Sequence, residues 1–483
     1  MSNPIWLNKY SNGDSVIKAY EFAKKVHDGF NRASGKPYVH HCTEVAKTLD
    51  EWGLDKNTVA AGFIHDSLKR DSCSIKDIKK KFGQDIASLV EGVTKIGDLN
   101  YRGDFNSKDQ QMENIRKLMI AISNDLRVIF IKLSDRLHNM KTLDYLDEAR
   151  QKEKAQETYD IYAPLAYRLG MQKLAGELKD ITFPYINPEE YEWLLNNVEQ
   201  EYKEREKYIE KVKPILKEKL KKEDLEPVEI TARAKRYSSL YKKLLRKDRA
   251  IEEIYDLVAL RVIVENVEQC YKALGIIHEQ WSPLPGRIKD YIARPKPNGY
   301  QSLHTTVFCV NNEITEIQIR TKKMHEEAEL GAAAHWAYQQ SKDSNSSSNN
   351  QQKSEKENMR WVRQLRNWKD DSRESEEFID SVKGEFFKDK IFVLTPDNDV
   401  IDLPSGSTPV DFAYRIHSEI GNQCSGAKVN GKMVSLDYEL ESGDLVKIMT
   451  QPSKLPSEDW LDFVKTSTAK SHIKEALRQK RQV

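Results

Sequence analysis

The chain has 483 residues, with 77 Lys plus Arg against 76 Asp plus Glu and a net charge of +1. That length exceeds one ordinary core, so two to four domains are expected; the charge balance excludes bulk electrostatics as an argument for nucleic acid, and any anion site must come from local clustering. No apolar run approaches membrane-spanning length, and five scattered cysteines without a Cys-x-x-Cys fit reduced thiols, not a disulfide frame or a zinc ribbon.

The opening stretch, MSNPIWLNKYSNGD, lacks the basic-then-apolar pattern of a secretory signal. With the reduced thiols, this places the chain in the cytoplasm and away from membranes. From Ser15 to about Gly170 the pattern is helical, and LRVIFIKLSDRLHNMKTLDYL is apolar around most of its circumference, the mark of a buried central helix. LAYRLGMQKLAGELKDITFPYINPEEY continues the bundle and is expected to end at Pro184 and Pro188. The charged run over 189–225 reads as a helical connector with a solvated face. Near Val228 the texture changes: DLVALRVIV, HTTVFCV and EITEIQIR are β-rich, with helical segments between them. SKDSNSSSNNQQKSEKEN lacks core-forming residues and reads as disordered. Farther on, two short strands flank the PDND turn, and Pro409 opens a helix. The expected organisation is a helical domain over 1–180, a helical connector over 181–228, a mixed α/β domain over 229–340, a disordered linker over 341–357, a helical linker over 358–387, a small β-grasp unit over 388–450, and a basic helical tail over 451–483.

His41, His65, Asp66 and Asp135 fall on three separate helical segments. Two imidazoles and two carboxylates suit Mn²⁺, Zn²⁺ or Fe²⁺, which polarise a phosphate and acidify a bound water. Alone, the His65-Asp66 pair fits a surface or capping role at least as well, and His40 beside His41 leaves open which one faces inward. RASGKPYVHHCTEVAKTL, AAGFIHDS and IKLSDRLHNMKTL, in that order, resemble the all-α HD-type hydrolase domain of the RelA/SpoT homologue family, long enzymes that make and degrade (p)ppGpp. The resemblance makes His41, His65, Asp66 and Asp135 the ligands of a Mn²⁺ ion and makes Arg32, Ser34, Asn139 and Thr142 nucleotide contacts. It also exposes a departure. Where the family's hydrolases carry Glu-Asp, this chain has Lys69 and Arg70, which accept no proton at neutral pH. General-base help is worth about 10²- to 10⁴-fold in rate, so an impaired hydrolase is expected. Two alternatives stay open: Asp71 takes over as the acid, or the cations grip a polyphosphate.

ITARAKRYSSLYKKLLRKDR concentrates positive charge along what reads as a helix, and EIYDLVALRVIV places Asp256 at the opening of a β-branched run. In EITEIQIRT, Glu316 and Gln318 share one strand face. If the two strands are sheet neighbours, Asp256 and Glu316 can share Mg²⁺, a cation suited to hard oxygen ligands. Between them, PGRIKDYIARPKPNGYQSLHTTV is a basic, turn-rich stretch able to wrap a phosphate chain. No G-x-x-x-x-G-K-[ST] or G-x-G-x-x-G occurs, so an ATP user would need this other cradle. The block from Glu229 to Tyr338 resembles the family's (p)ppGpp synthetase domain, which implies a nucleotidyltransferase-like α/β fold and transfer of the β,γ-pyrophosphate of ATP to the 3′-hydroxyl of GDP or GTP. On that likeness Asp256 binds Mg²⁺, Glu316 binds Mg²⁺ or takes the hydroxyl proton, and Arg233, Lys235, Ser239 and Lys243 hold ATP. Tyr300 stacks on guanine, helped by Lys296, Asn298, Gln301 and His304, and Arg261, Arg287 and Lys289 complete the nucleotide contacts. The Arg287–Asp290 segment RIKD resembles the version found in bifunctional members.

PSGSTPVDFAYRIHSEIG with the following AKVNGKMVSLDYELESGDLVKIMT resembles a TGS domain, which in long members senses the end of uncharged tRNA. His417 stands where that contact would be made, although a helix-surface histidine explains it too. The family's further C-terminal domains do not follow Val483, whether the chain is naturally short or cut short, so ribosome docking is left open.

Overall fold

The computed structural model describes residues 4–97, 124–245, 257–296, 298–334, 390–396, 399–441, 443–452 and 454–481, with single positions 118, 121, 254 and 336. The chain divides into two compact units, Met1–Asp370 and Asp371–Val483. The expected linkers over 341–387 lie outside the described residues, as do Asp256, Arg246 and Lys247.

The first unit opens with a helical bundle: α1 (Ser15–Val26), α2 (Tyr38–Glu51), α3 (Lys56–Ile64), α4 (Ile75–Gly97), α5 (Arg127–Lys141), α6 (Glu148–Glu157), α7 (Ala163–Arg168) and α8 (Gln172–Ile186). Asp14, Asp55 and Asp147 cap α1, α3 and α6 by accepting from first-turn N–H groups, which otherwise have no partner. Helix α5 is buried from Val128 through Leu137. Its interior cations are paired, as burial of charge demands: Lys132 Nζ lies 2.9 Å from Asp135 Oδ2, and Arg136 donates twice to Glu157 at 2.7 and 2.9 Å. A π-helical turn at Thr158–Tyr162 joins α6 to α7. The expected break at Pro184 does not occur. Pro184 sits in the last turn of α8, where one missing N–H does not stop the helix, and Pro188 opens the next one at its first position.

That next helix, α9 (Pro188–Lys222), is the charged connector, and its face is not simply solvated. Ile209, Val212, Leu216 and Leu220, spaced three or four apart, are buried in the core under the sheet, and Leu194 and Val198 enter a second cluster with Phe183. Charge on the other faces hid this stripe.

The α/β domain follows: β1 (Glu229–Ala234), α10 (Tyr237–Leu245), β2 (Val258–Val264), α11 (Val267–Gln280), β3 (Lys289–Asp290), β4 (Leu303–Phe308), β5 (Ile314–Thr321) and α12 (Lys322–Leu330). Arg233 therefore lies on a strand, and only Tyr237 onward is helical; the β-branched and small residues of EITARA take the extended form. The sheet order is β1-β2-β5-β4-β3, with β2 and β5 parallel and the other pairs antiparallel. Leu260, Val262, Ile317 and Ile319 point into the core shared with α9 and α11. Alternation sends Arg261, Glu316, Gln318 and Arg320 to the opposite face.

The bundle and the α/β domain meet at two glycines. Ala332 N–H donates to Leu169 O at 2.6 Å. Gly331, at φ 55°, sits so close to the Leu169–Met171 backbone that an added Cβ would strike main-chain atoms, and Gly170, at φ 74°, would place its own Cβ 3.1 Å from the Gly331 Cα.

In the second unit, β6 (Lys390–Leu394) and β7 (Val400–Pro404) form a hairpin, followed by α13 (Pro409–Ile416), α14 (Ser418–Asn422), β8 (Cys424–Val429), β9 (Lys432–Val434) and β10 (Val446–Thr450). The second sheet has the order β10-β8-β9. Thr408 and Asp411 make a reciprocal cap on α13. Asp411 is fully buried and also accepts from Thr466 N–H at 2.7 Å, from its hydroxyl at 2.8 Å, and from Lys465 N–H at 3.0 Å. The tail forms α15 (Trp460–Phe463) and α16 (Ser467–Arg481). Trp460, Val464, Ala469 and Ile473 bury against Val410 and Tyr414 of α13, so this tail shares the unit's core.

Candidate functional site

Two polar cavities stand out in the first unit. The first, of about 490 Å³, opens between α2, the end of α3, α5 and the π-helical turn. Two of the four residues expected as metal ligands, Asp66 and Asp135, line it, and His41 and His65 stand against those carboxylates. His41 Nε2 lies 3.3 Å from Asp135 Oδ1 and 4.0 Å from Asp66 Oδ2; His65 Nε2 lies 3.8 and 3.4 Å from the same oxygens. All four residues are buried, whereas His40 is exposed, which settles the choice between neighbours in favour of His41. His65 Nδ1 bonds Gly62 O at 2.8 Å, which leaves Nε2 buried and without a hydrogen-bond partner, and His41 Nδ1 is 2.8 Å from His138 Nδ1. These contacts orient both imidazoles with Nε2 toward the carboxylates. Burial pushes His41 down to about 4. Burial opposes charge on Asp66, yet His65 and Lys69 hold it well below the usual carboxylate range; Lys132 and His41 do the same for Asp135. The donor set, its spacing and the orphaned Nε2 fit a divalent transition metal.

A cation stands beside the carboxylates of this cluster. Lys69 Nζ sits 2.7 Å from Asp66 Oδ1, so one of the two anomalous cations leans on a ligand of the cage. Arg70 does not line the cavity. Its guanidinium lies 4.0 Å from the Phe30 ring centre and 4.8 Å from that of Tyr38, and Nε donates to His27 Nδ1 at 3.3 Å. Asp71, the alternative acid, is exposed and does not line the cavity. Arg32, Ser34, Asn139 and Thr142 all line the cavity; Arg32 donates to Asn139 Oδ1 at 2.7 Å, and Asn139 Nδ2 to Asp135 Oδ1 at 2.7 Å. Sequence reading missed Tyr38, which donates to Asp66 Oδ2 at 2.6 Å, and Lys132.

The second cavity, of about 520 Å³, lies over the polar face of the sheet. Arg233, Lys235, Arg261 and Tyr300 from the expected contact set line it, together with Arg320 and Glu329, which the sequence reading did not single out. The period-two alternation of Glu316, Gln318 and Arg320 was the available signal. Arg320 is 1% exposed, and its Nη2 is 2.6 Å from His325 Nδ1. Glu329 stands 3.6 Å from Arg261 and 3.7 Å from Arg320, and both of their Nε atoms lack hydrogen-bond partners. Burial and Arg261 push Arg320 down to about 10. Six Lys and Arg side chains against three carboxylates, Asp180, Glu206 and Glu329, leave the cavity lining with a cationic excess, which calls for an anion.

Glu316 accepts from Gln318 Nε2 at 2.8 Å and lies 3.5 Å from His304, while Gln318 Oε1 accepts from Arg233 at 3.2 Å. Its strand is the parallel neighbour of β2, the condition set for a shared cation, although Asp256 itself is outside the described residues. Tyr300 is nearly buried, donates to or accepts from His304 Nε2 at 2.9 Å, and has the Lys296 ammonium 5.0 Å from its ring centre. Asn298 Oδ1 accepts from Tyr300 N–H at 3.3 Å, and Gln301 donates to Ile292 O. Arg287 and Lys289 are exposed beside this turn; Ser239 is exposed on α10, which also carries Lys243. In the second unit His417 is exposed and accepts from Glu419 N–H at 3.3 Å, capping α14. Among the described residues no helix is long and apolar enough to cross a membrane.

The fold and these two cavities define a multidomain chain in which a helical domain with a metal cage precedes an α/β domain with a cationic cavity. Family models agree: one described as HD domain matches residues 19–172, one described as a region found in RelA/SpoT proteins matches 232–343, and one described as TGS domain matches 391–450. The chain is 45% identical over 466 residues to a GTP pyrophosphokinase of Myxococcus xanthus, covering 96% of this chain and 60% of that protein. It is 46% identical over 467 residues to a guanosine-3′,5′-bis(diphosphate) 3′-pyrophosphohydrolase of Aquifex aeolicus, covering 96% and 65%. It therefore spans less than two-thirds of the length of these curated relatives. A solved small alarmone synthetase 2 from Bacillus subtilis is 26% identical over 36% of this chain and 96% of its own, with a TM-score of 0.25. The chain belongs to the RelA/SpoT family.

Proposed function

We propose that this chain makes (p)ppGpp, moving the β,γ-pyrophosphate of ATP to the 3′-hydroxyl of GDP or GTP, and that its breakdown activity is impaired. The observation that carries the reading is the excess of guanidinium charge that the buried Arg320, the half-buried Arg261 and the exposed Arg233 bring to the cavity over the sheet face that also carries Glu316. A polyphosphate would supply the missing counter-charge, and the PKPNGY turn would hold the guanine nucleotide through Tyr300, Lys296, Asn298, Gln301 and His304. Glu316 offers the hard oxygen that Mg²⁺ prefers and, with Asp256, is assigned to hold it; bound there, Mg²⁺ neutralises phosphate charge. Glu316 is alternatively assigned to accept the 3′-hydroxyl proton. Arg233, Lys235, Ser239 and Lys243 are assigned to ATP. Incubation with ATP, GDP and Mg²⁺ should yield a slower-migrating guanine nucleotide, and its absence would sink the reading.

The intact cage favours a second reading, Mn²⁺-dependent breakdown of ppGpp to GDP and pyrophosphate. His41, His65, Asp66 and Asp135 would hold Mn²⁺, which acidifies a bound water when present. Lys69 opposes this reading, since it offers no base where one is needed. The TGS domain supports a response to uncharged tRNA through His417, and the nucleotide substrates place the reaction in the cytoplasm.

The synthetase reading carries a pH dependence. Burial pushes Lys296 down to about 8, with Lys289 and Arg233 adding repulsion and Glu316 opposing them. Below that value Lys296 is cationic and attracts a nucleotide anion; above it the attraction is lost. The KM for GDP should therefore rise as pH climbs from about 7 to 9, and Lys296→Arg should flatten the rise, since Arg stays charged. Parallel profiles for the two proteins would rule Lys296 out as the group responsible.

A further inference from the structure

The matched synthetase region begins at residue 232, yet the cationic cavity is not walled by that region alone. Gln172, Lys173 and Asp180 of α8 also line it. Asp180 is committed to the start of α10: its Oδ1 accepts from the backbone N–H of Ser238 at 3.1 Å and from the Ser238 hydroxyl at 2.7 Å. Its Oδ2 lies 3.6 Å from Arg236 Nη1.

Ser238 is the second residue of α10, and first-turn N–H groups have no partner within a helix. The usual remedy is an acceptor on the residue just before the helix. Here that residue is Arg236, which has donors only. The acceptor comes instead from a different helix, 58 residues earlier in the chain. A carboxylate also suits the positive end of α10. Arg236 is fixed in turn: its Nη2 donates to Lys173 O at 3.1 Å, and it packs so closely on Gly176 that an added Cβ would stand 2.6 Å from its Cδ.

We infer that Asp180 is a positioning residue for ATP, setting the first turn of α10 and hence the placement of Lys235, Ser239 and Lys243. This rests on the proposed synthetase reading. The carboxylate is turned onto Ser238 and Arg236, so it serves the site through the helix and not by touching phosphate.

The test uses the full chain with Asp180→Ala and Asp180→Asn, varying ATP and GDP separately in the synthesis assay and recording Tm. Loss of a helix cap corresponds to about a 3- to 30-fold change in an equilibrium. Asp180→Ala should raise the KM for ATP by that factor with the KM for GDP within about twofold, and Asp180→Asn, which keeps an acceptor oxygen, should recover most of the difference. An unchanged KM for ATP overturns the inference. So does an equal rise for both nucleotides with a lower Tm, the mark of general destabilisation, and so does an Asn variant as impaired as the Ala variant. If Asp180→Ala does not fold, Ser238→Ala removes the hydroxyl bond alone and should give a smaller rise of the same kind; no rise again overturns it. A non-hydrolysable ATP analogue titrated into each protein separates this inference from the synthetase reading: an inactive wild type refutes that reading, while equal analogue affinity in wild type and Asp180→Ala refutes this one.

Discussion

Glu316→Gln is expected to lower (p)ppGpp synthesis by about 10²- to 10⁴-fold, the range that removal of a base in a proton transfer produces. The substitution keeps the shape of the side chain and its place opposite Thr306, in register with β4. It removes the charge that a hard cation prefers and the oxygen lone pair basic enough to accept a proton. Gln318 and His304 remain as neighbours, so the fold around the site should survive. Steady-state synthesis with ATP, GDP and Mg²⁺ measures the effect, and the unchanged Tm separates chemistry from folding. A variant that retains more than a third of the wild-type rate would remove Glu316 from the chemistry.

The opposite change is expected in the helical domain. Lys69→Glu with Arg70→Asp should restore Mn²⁺-dependent breakdown of ppGpp from a low background. The two positions do not contribute equally. Lys69 lines the cavity and holds Asp66, whereas Arg70 is stacked on Phe30 and Tyr38 and bonded to His27. Lys69→Glu alone should therefore supply most of the gain, and Arg70→Asp should lower Tm by giving up a cation–π stack. Pyrophosphate release from ppGpp reads the first effect and a thermal melt the second. Full breakdown activity in the wild type would contradict the role given to Lys69. No gain in a folded, Mn²⁺-binding variant would mean that the cage needs more than an acid.

How much of this was legible in the sequence depends on how far apart the partners lie in the chain. The cage ligands could be named because His41, His65, Asp66 and Asp135 sit in motifs whose residue types suit a metal, but the choice between His40 and His41 needed the helix rotation that buries one of them. Arg320 was missed although it continues the alternation of Glu316 and Gln318; a run read for its acids hides its cation. The buried stripe of α9 was written at three- and four-residue spacing, yet the surrounding charge drew it to the surface in the reading. Asp180 and Lys173 had no local signal, because their importance arises only where α8 meets α10. The same limit applies to Arg70, whose aromatic neighbours, Phe30 and Tyr38, come from the loop before α2 and from its first residue.

Asp411 has a consequence for where the TGS domain ends. Five donors from Thr408, Lys465 and Thr466 converge on its two oxygens out of reach of water, and a buried carboxylate stripped of such donors is strongly destabilising. Cutting the polypeptide after Thr450, where the strand pattern stops, would leave that anion half-solvated in an opened core and strip Trp460 and Ile473 from Tyr414. The smallest self-sufficient module on this side of the protein therefore reaches beyond its last strand into the terminal helix.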